Sequence, residues 1–292
     1  MIKNPLVFAA TSDIAGKVRG KSFPVSDLEK RAKRGVGWTP TNVMITCFDA
    51  IADSPFGALG DLLLIPDVET GVELDFEDGG PVERFMLGDI TDLDGKPWEF
   101  CTRSLLKAAL ERLKAAGGVS LVSAFEHEFQ FKTGGDQPGE AYGHSGFAER
   151  RMFGETLMAA LDQSGLASDT FMKEYGANQY EVTNDPAPDH RSADQAVILR
   201  EVTRMTAKRL GEEVTFTPIR DPAGVGNGVH IHISFLDESG APATYDEDGV
   251  AGMSGITASF IAGVLKYLDS IIALTAPSDV SYLRLTPHRW SA

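Results

Sequence analysis

Between residues 119 and 131 the chain reads VSLVSAFEHEFQF, and from Ser123 onward its apolar and polar positions alternate. On a strand, a period of two places Glu126, Glu128 and Gln130 on one face and Phe125, His127, Phe129 and Phe131 on the other. The same period recurs in GVHIHISFLD, where His230, His232 and Ser234 share a face opposite Val229, Ile231, Ile233 and Phe235. Other stretches follow helical spacing. In TRSLLKAALERLKAAG, Leu105, Leu106, Ala109, Leu110 and Leu113 mark one side, Thr102 can cap the start and Gly117 ends it. Further helices are predicted around residues 148–164, through DQAVILREVTRMTAKRL, and over residues 255–276. VTFTPI and the second half of DTFMKEYGANQYEVTND read as strands, and SYLRL as a short strand-like segment.

Residues 1–97 break into short apolar runs, NVMITCF, DLLLIPD and RFMLGDI, separated by Gly, Asp and Pro. They predict a small, strand-dominated domain, and the switch to helical period near residue 98 marks its end. Beyond it, strands and helices alternate without a repeat, which fits an α/β or an α+β fold. With 292 residues, 42% of them hydrophobic, the chain can bury a sizeable core. Its 27 Lys and Arg against 42 Asp and Glu give a net charge of −15. That balance argues against nucleic acid or an anionic membrane as a partner and points to small-molecule substrates. Cys47 and Cys101 form no CxxC pair, so a reducing cytoplasm is expected. The apolar start of the chain is too short for a signal-peptide core, and ITASFIAGVLKYLDSIIALTA, interrupted by Lys266 and Asp269, predicts a core helix instead of a membrane span.

Ligand-type side chains stand on these apolar elements in four places. Glu126 and Glu128 fit a wet sheet face as well as they fit a site. Glu174 and Glu181 bracket the turn-like YGANQY, and taken alone they are surface acids. GVGNGVHIHIS is more telling, because a glycine loop feeds a strand with two histidines on one side, the pattern of a lined cavity. Arg284, in SYLRLTPHRW, is either half of a salt bridge or a fork for a carboxylate or phosphate. Taken together, the glutamates and an imidazole suit Mg2+ or Mn2+ bridging phosphates, since facing carboxylates need cations to neutralise them. Neither GxxxxGK[ST] nor a GxGxxG opening a helix is present, so ATP would have to bind by another route.

In their order, RGK (residues 19–21), GDLLLIPD, GDI, CTRSLLK, FEHEF, EYGANQYE, GNGVHIHIS and SYLRLTP resemble the glutamine synthetase family along the whole chain. The resemblance implies an α+β protein. A β-grasp-like N-terminal domain (1–97) would precede a catalytic domain (98–292) with a curved antiparallel sheet and surrounding helices. It implies one divalent ion on Glu128, Glu174 and Glu181 and a second on Glu126 and His230. His232, Ser234 and Asp169 would lie on the ATP side, Gly226 would contact glutamate through its backbone, and Arg284 would be the catalytic, substrate-gripping arginine. The implied reaction is ATP-dependent ligation of glutamate's γ-carboxylate to ammonia or an amine through γ-glutamyl phosphate, in a homo-oligomeric ring.

The chain also departs from the family's pattern. Val225 stands where an Asn is usual, so a side-chain contact to the substrate amino group is either missing or supplied from elsewhere. Trp290 stands where ammonia-using members carry an acidic flap residue, which favours an organic amine. The sequence stops at Ala292, inside a segment that the family continues with further arginines and another metal ligand. A fragment of a longer protein, or a natural truncation that only binds metal or nucleotide, is therefore expected beside the ligase. A metal-dependent hydrolase is a third possibility, but it gives RGK and GDLLLIPD no role.

Overall fold

The computed structural model describes residues 2–57, 59–135 and 138–287. The chain forms two compact units, Met1–Leu113 and Lys114–Ala292. In the first, β1 (Leu6–Ser12), β2 (Val18–Pro24), α1 (Leu28–Arg34), β3 (Val36–Trp38), β4 (Leu62–Pro66), β5 (Val72–Leu74) and β6 (Glu83–Thr91) are followed by α2 (Thr102–Gly117). The sheet order is β2-β1-β6-β4-β3, with β5 also on β6. Among the described residues, β1 and β6 are the one parallel pair in this sheet. Alternation does what a half-buried strand requires: on β4, Leu62, Leu64 and Pro66 are buried and Leu63 and Ile65 are half-buried.

The leucine-marked helix forms where the periodicity predicts it, but its buried residue is Arg103, while Leu105 is 50% exposed. Arg103 reaches Asp67 (2.6 Å) and Asp89 (2.9 Å), the acids that close GDLLLIPD and open the end of β6, and Lys107 also reaches Asp89 (2.7 Å). A buried guanidinium needs paired acids, which accounts for the aspartates at those two places.

The second unit is built around β7 (Val119–Phe131). After it come α3 (His144–Glu149), α4 (Arg151–Gln163), β8 (Ser168–Lys173), β9 (Gln179–Asn184), β10 (Ala187–Pro188), α5 (Arg191–Arg209), β11 (Val214–Thr215), β12 (Val229–Asp237), α6 (Gly255–Lys266), α7 (Leu268–Thr275) and α8 (Asp279–Arg284). All pairings in this sheet are antiparallel. β9 and β10 lie along one edge of β7, with β8 outside β9; β12 and β11 lie along the other. His127, Phe129 and Phe131 of β7 are buried on its back, as the alternation predicts. There Phe131 packs edge-on against Phe153 (4.8 Å between centroids) and Tyr180 (5.5 Å), and the His127 ring lies 3.1 Å from the Ala196 carbonyl of α5.

Several expectations are corrected. The helix expected over residues 148–164 is interrupted at Arg150, whose backbone leaves helical geometry. VTFTPI shrinks to two paired residues; Pro218 has no N–H for a ladder, and its carbonyl accepts from Asn227 N–H instead. SYLRL is not strand-like but the helix α8, because Ser278 caps its start and Asp279 sits in its first turn. The core helix over residues 255–276 is two helices bent by 78°. Tyr267 leaves helical geometry at the break. The pair does not carry a core either: Leu265 and Leu274 are 67% and 71% exposed. Among the described residues no single helix is long and apolar enough to cross a membrane; this bent pair passes on length and composition alone.

Candidate functional site

Register across β7 decides what its front face can do. On one side Glu126 pairs with Thr183 and Glu128 with Glu181 of β9; on the other, Glu126 pairs with His230 of β12. Antiparallel partners on one face stand close, so the glutamates of β7 and β9 and the histidines of β12 converge. Glu126 Oε2 lies 3.1 Å from His230 Nδ1, and Oε1 lies 2.8 Å from His232 Nε2. Ligand atoms of Glu126, Glu181 and His230 come within 4.8 Å of one another. The family resemblance groups Glu181 with Glu128 and Glu174; in the structure Glu181 faces Glu128 and also completes the Glu126–His230 set.

Glu128 Oε2 accepts hydrogen bonds from Gly228 N–H (3.0 Å) and from the Gln179 amide (2.8 Å). Glu174 leads into the turn before β9, where Tyr142 Oη donates to it (2.9 Å) and the Tyr175 N–H does so at 3.2 Å. Gly226 and Gly228 fit a crowded crossing. A Cβ on Gly226 would meet the Pro218 carbonyl at 2.5 Å, and one on Gly228 would meet Arg284 Nη2 at 2.9 Å and Glu128 Oε1 at 3.0 Å. Arg284, at the end of α8, is thereby held beside the glycine loop and Glu128. Asp169 is exposed on β8 and accepts from Thr183 Oγ1 (3.2 Å), while Ser234 is exposed two residues beyond His232. Val225 is 45% exposed, and Asn227 is turned inward onto the Thr217 carbonyl (2.7 Å). Trp290 lies outside the described residues.

The electrostatics fit a cation. Burial, and then the charges of Glu126, Glu174 and Glu128, push the Glu181 carboxyl up to about 8. Burial also raises Glu128, against the Gly228 N–H that favours its charged form. Acids that resist ionising together, around an imidazole and hard oxygen donors, are suited to Mg2+ or Mn2+.

A pH dependence follows for the metal-free protein. Unfolded, Glu181 would titrate near 4.5; folded, it holds its proton up to about 8. The folded state therefore binds more protons between those values, and stability falls as pH rises through that window. His127, pushed down to about 3 chiefly by burial, gives the opposite slope, but only below its unfolded value of 6.5. Between pH 6.5 and 8 the Glu181 slope stands clear. Urea midpoints should fall across that range, and Glu181→Gln should flatten the fall; parallel slopes in the two proteins would exclude it.

Two residues at the site, Tyr142 and Gln179, carry no motif that marks them in the sequence. Gln179 had a signal, since it shares strand parity with Glu181; Tyr142, in a glycine-rich loop without periodicity, had none.

Fold and site together define an α+β protein whose second unit gathers carboxylates and a histidine, a donor set that could hold a cation, on an antiparallel sheet. Residues 99–292 match the glutamine synthetase catalytic domain and residues 3–98 the glutamine synthetase N-terminal domain. The chain belongs to the glutamine synthetase family. It is 33% identical over 300 residues to the gamma-glutamylpolyamine synthetase GlnA3 of Streptomyces coelicolor, covering 98% of this chain and 62% of that one. It is 30% identical over 308 residues to type-1 glutamine synthetase 1 of Dictyostelium discoideum, covering 96% of this chain and 61% of that one. The chain thus spans about three-fifths of the length of these curated relatives. A crystal structure described as a novel glutamine synthase homolog superposes with a TM-score of 0.91 at 40% identity, over 99% of this chain and 69% of that one. The ligand-free structure named GmaS shares the fold, with a TM-score of 0.83 at 24% identity over 96% of this chain and 66% of that one.

Proposed function

We propose that the protein is an ATP-dependent carbon–nitrogen ligase that joins the γ-carboxylate of glutamate to ammonia or an organic amine. The observation that carries this reading is the convergence of Glu126, Glu128, Glu181 and His230 on one sheet face, with Glu174 in the turn before β9 close enough to act on Glu128 and Glu181 by charge, beside a glycine loop and Arg284. Glu128, Glu174 and Glu181 on one side, and Glu126 and His230 on the other, would hold the divalent ions. When bound, these ions supply charge neutralisation and polarise the transferred phosphoryl group. The chain's own groups do the rest. Arg284 offers a planar fork to a carboxylate or phosphoryl oxygen, and the backbone at Gly226 and Gly228 leaves room for glutamate to approach. His232 and Ser234 on β12, with Asp169 across the sheet on β8, are the residues assigned to the nucleotide in this reading. Glutamate's γ-carboxylate attacks the terminal phosphorus of ATP, the bond from that phosphorus to the β–γ bridging oxygen breaks and ADP leaves, giving γ-glutamyl phosphate; a neutral amine then attacks the γ-carbonyl carbon, phosphate leaves, and the nitrogen gives up a proton to form the amide. The boundary near residue 98, a homo-oligomeric ring and a cytoplasmic location belong to the same reading.

Trp290 supports an organic amine over ammonia, because an indole presents no carboxylate to take up a proton from ammonium. Phosphate release by the intact protein, with glutamate, ATP and Mn2+, should depend on added amine and be faster with methylamine, isopropylamine or putrescine than with ammonia. Preference for ammonia would overturn the amine assignment; no release with any of them would overturn the ligase.

A further inference from the structure

Under the carboxylates lies a buried patch of amides that holds no metal ligand of its own. Gln179 is fully buried, at 0% exposure. Its Oε1 accepts the Gly176 N–H at 2.8 Å, which orients the amide and turns Nε2 toward three acceptors. These are Glu128 Oε2 (2.8 Å), the Gly226 carbonyl (2.8 Å) and Asn227 Oδ1 (3.0 Å). Gly176 permits this approach, since a Cβ there would lie 2.6 Å from Gln179 Oε1. One side chain therefore ties together the turn that follows Glu174, the carboxylate of Glu128 and the backbone of the glycine loop.

We propose that Gln179 is a positioning residue that sets the metal-binding carboxylate of Glu128 and the substrate-binding backbone at Gly226 as a single unit, an inference that rests on the metal-dependent ligase reading above. The amide and the Gly228 N–H together take up Glu128 Oε2, so Oε1 is the oxygen left to face a cation. A neutral amide suits the task. A cation in its place would compete with the metal for Glu128, and a carboxylate would add repulsion to a crowded acidic site. Because Nε2 also holds the Gly226 carbonyl, a shift of Glu128 in the absence of this tether is passed to the loop that glutamate meets.

The test is Mn2+ binding by calorimetry on the intact protein, read alongside KM for glutamate and kcat. Gln179→Met removes the donors at similar volume, and Gln179→Asn keeps an amide but withdraws it by a methylene. Each is expected to weaken Mn2+ binding about 10–100-fold, the usual cost of losing a residue that orients a ligand. KM for glutamate should rise with it. Gln130→Met is the control: Gln130 is also a buried amide, donates to the Ala177 carbonyl (3.0 Å) and accepts from Asn227 Nδ2 at 3.5 Å, but it has no bond to Glu128 or to the Gly226 carbonyl. It should lose stability and keep its Mn2+ affinity. Wild-type affinity in a folded Gln179 variant overturns the proposal, as does equal weakening in Gln130→Met. Failure of both Gln179 variants to fold would assign the residue to folding alone, and also overturns it. Absence of Mn2+ binding by the unmodified protein would instead strike the ligase reading on which the proposal stands.

Discussion

Glu181→Gln is expected to raise the melting temperature of the metal-free protein at pH 8 and, in the same molecule, to remove most of the stabilisation that Mn2+ confers. The two halves have one cause. Glu181 is buried at 6% exposure, faces Glu128 across the β7–β9 ladder, and feels Glu126 and Glu174 as well. Without a cation its ionised form is penalised by burial and by like charge, and a neutral amide of the same shape escapes both. With a cation the balance reverses, because in the reading proposed above the carboxylate would be a ligand in the Glu126–Glu181–His230 set. At Mn2+ a hundredfold above Kd, binding stabilises the fold by about 2.7 kcal/mol; a hundredfold loss of affinity leaves roughly 0.4 kcal/mol at the same concentration. Calorimetric melting with and without Mn2+ reads both effects. A lower melting temperature in the metal-free variant, or an undiminished Mn2+ shift, would sink the assignment of Glu181 as a ligand.

Phe131→Ala should cost about 3–5 kcal/mol of stability, the range for truncating a fully buried aromatic side chain. Phe131 has 0% exposure and packs against Phe129 (5.7 Å), Phe153 (4.8 Å) and Tyr180 (5.5 Å). The Arg150 guanidinium also sits 4.2 Å from its ring centroid, so the substitution strips a cation of its aromatic partner. Its neighbours come from β7, α4 and β9, and they cannot collapse together to fill the cavity without moving the strands that carry Glu128 and Glu181. Equilibrium urea unfolding followed by fluorescence measures the loss, and Phe131→Leu should recover much of it. A change below about 1 kcal/mol would mean that this face of β7 is not the core of the second unit.

These two experiments address opposite faces of one sheet, and on β7 that division was legible in the sequence. Alternation in VSLVSAFEHEFQF separates the carboxylates from the phenylalanines without any knowledge of partners, because strand geometry alone sets the period. The helix after residue 98 and the histidine-bearing strand were readable for the same reason. SYLRL was misread because a period-two pattern only a few residues long is weaker than a Ser cap followed by an acid. Residues 255–276 were misread because apolar content describes what a segment could bury, whereas the bend at Tyr267 and the exposure of Leu265 and Leu274 depend on what packs against it.

By itself the sequence determined the alternating strands, the capped helices, the acids and histidines available to a cation, and, through the order of its motifs, the family resemblance. Only the tertiary structure decided which of them meet. Strand register put Glu126 between His230 and His232 and set Glu181 across from Glu128, while the packing of α2 turned Arg103 inward onto Asp67 and Asp89. It also made Gln179 the shared donor beneath the site. Local pattern fixes the face on which a side chain stands; the neighbours on that face come from segments dozens of residues away, and hydrogen-bonded pairing across the sheet selects them.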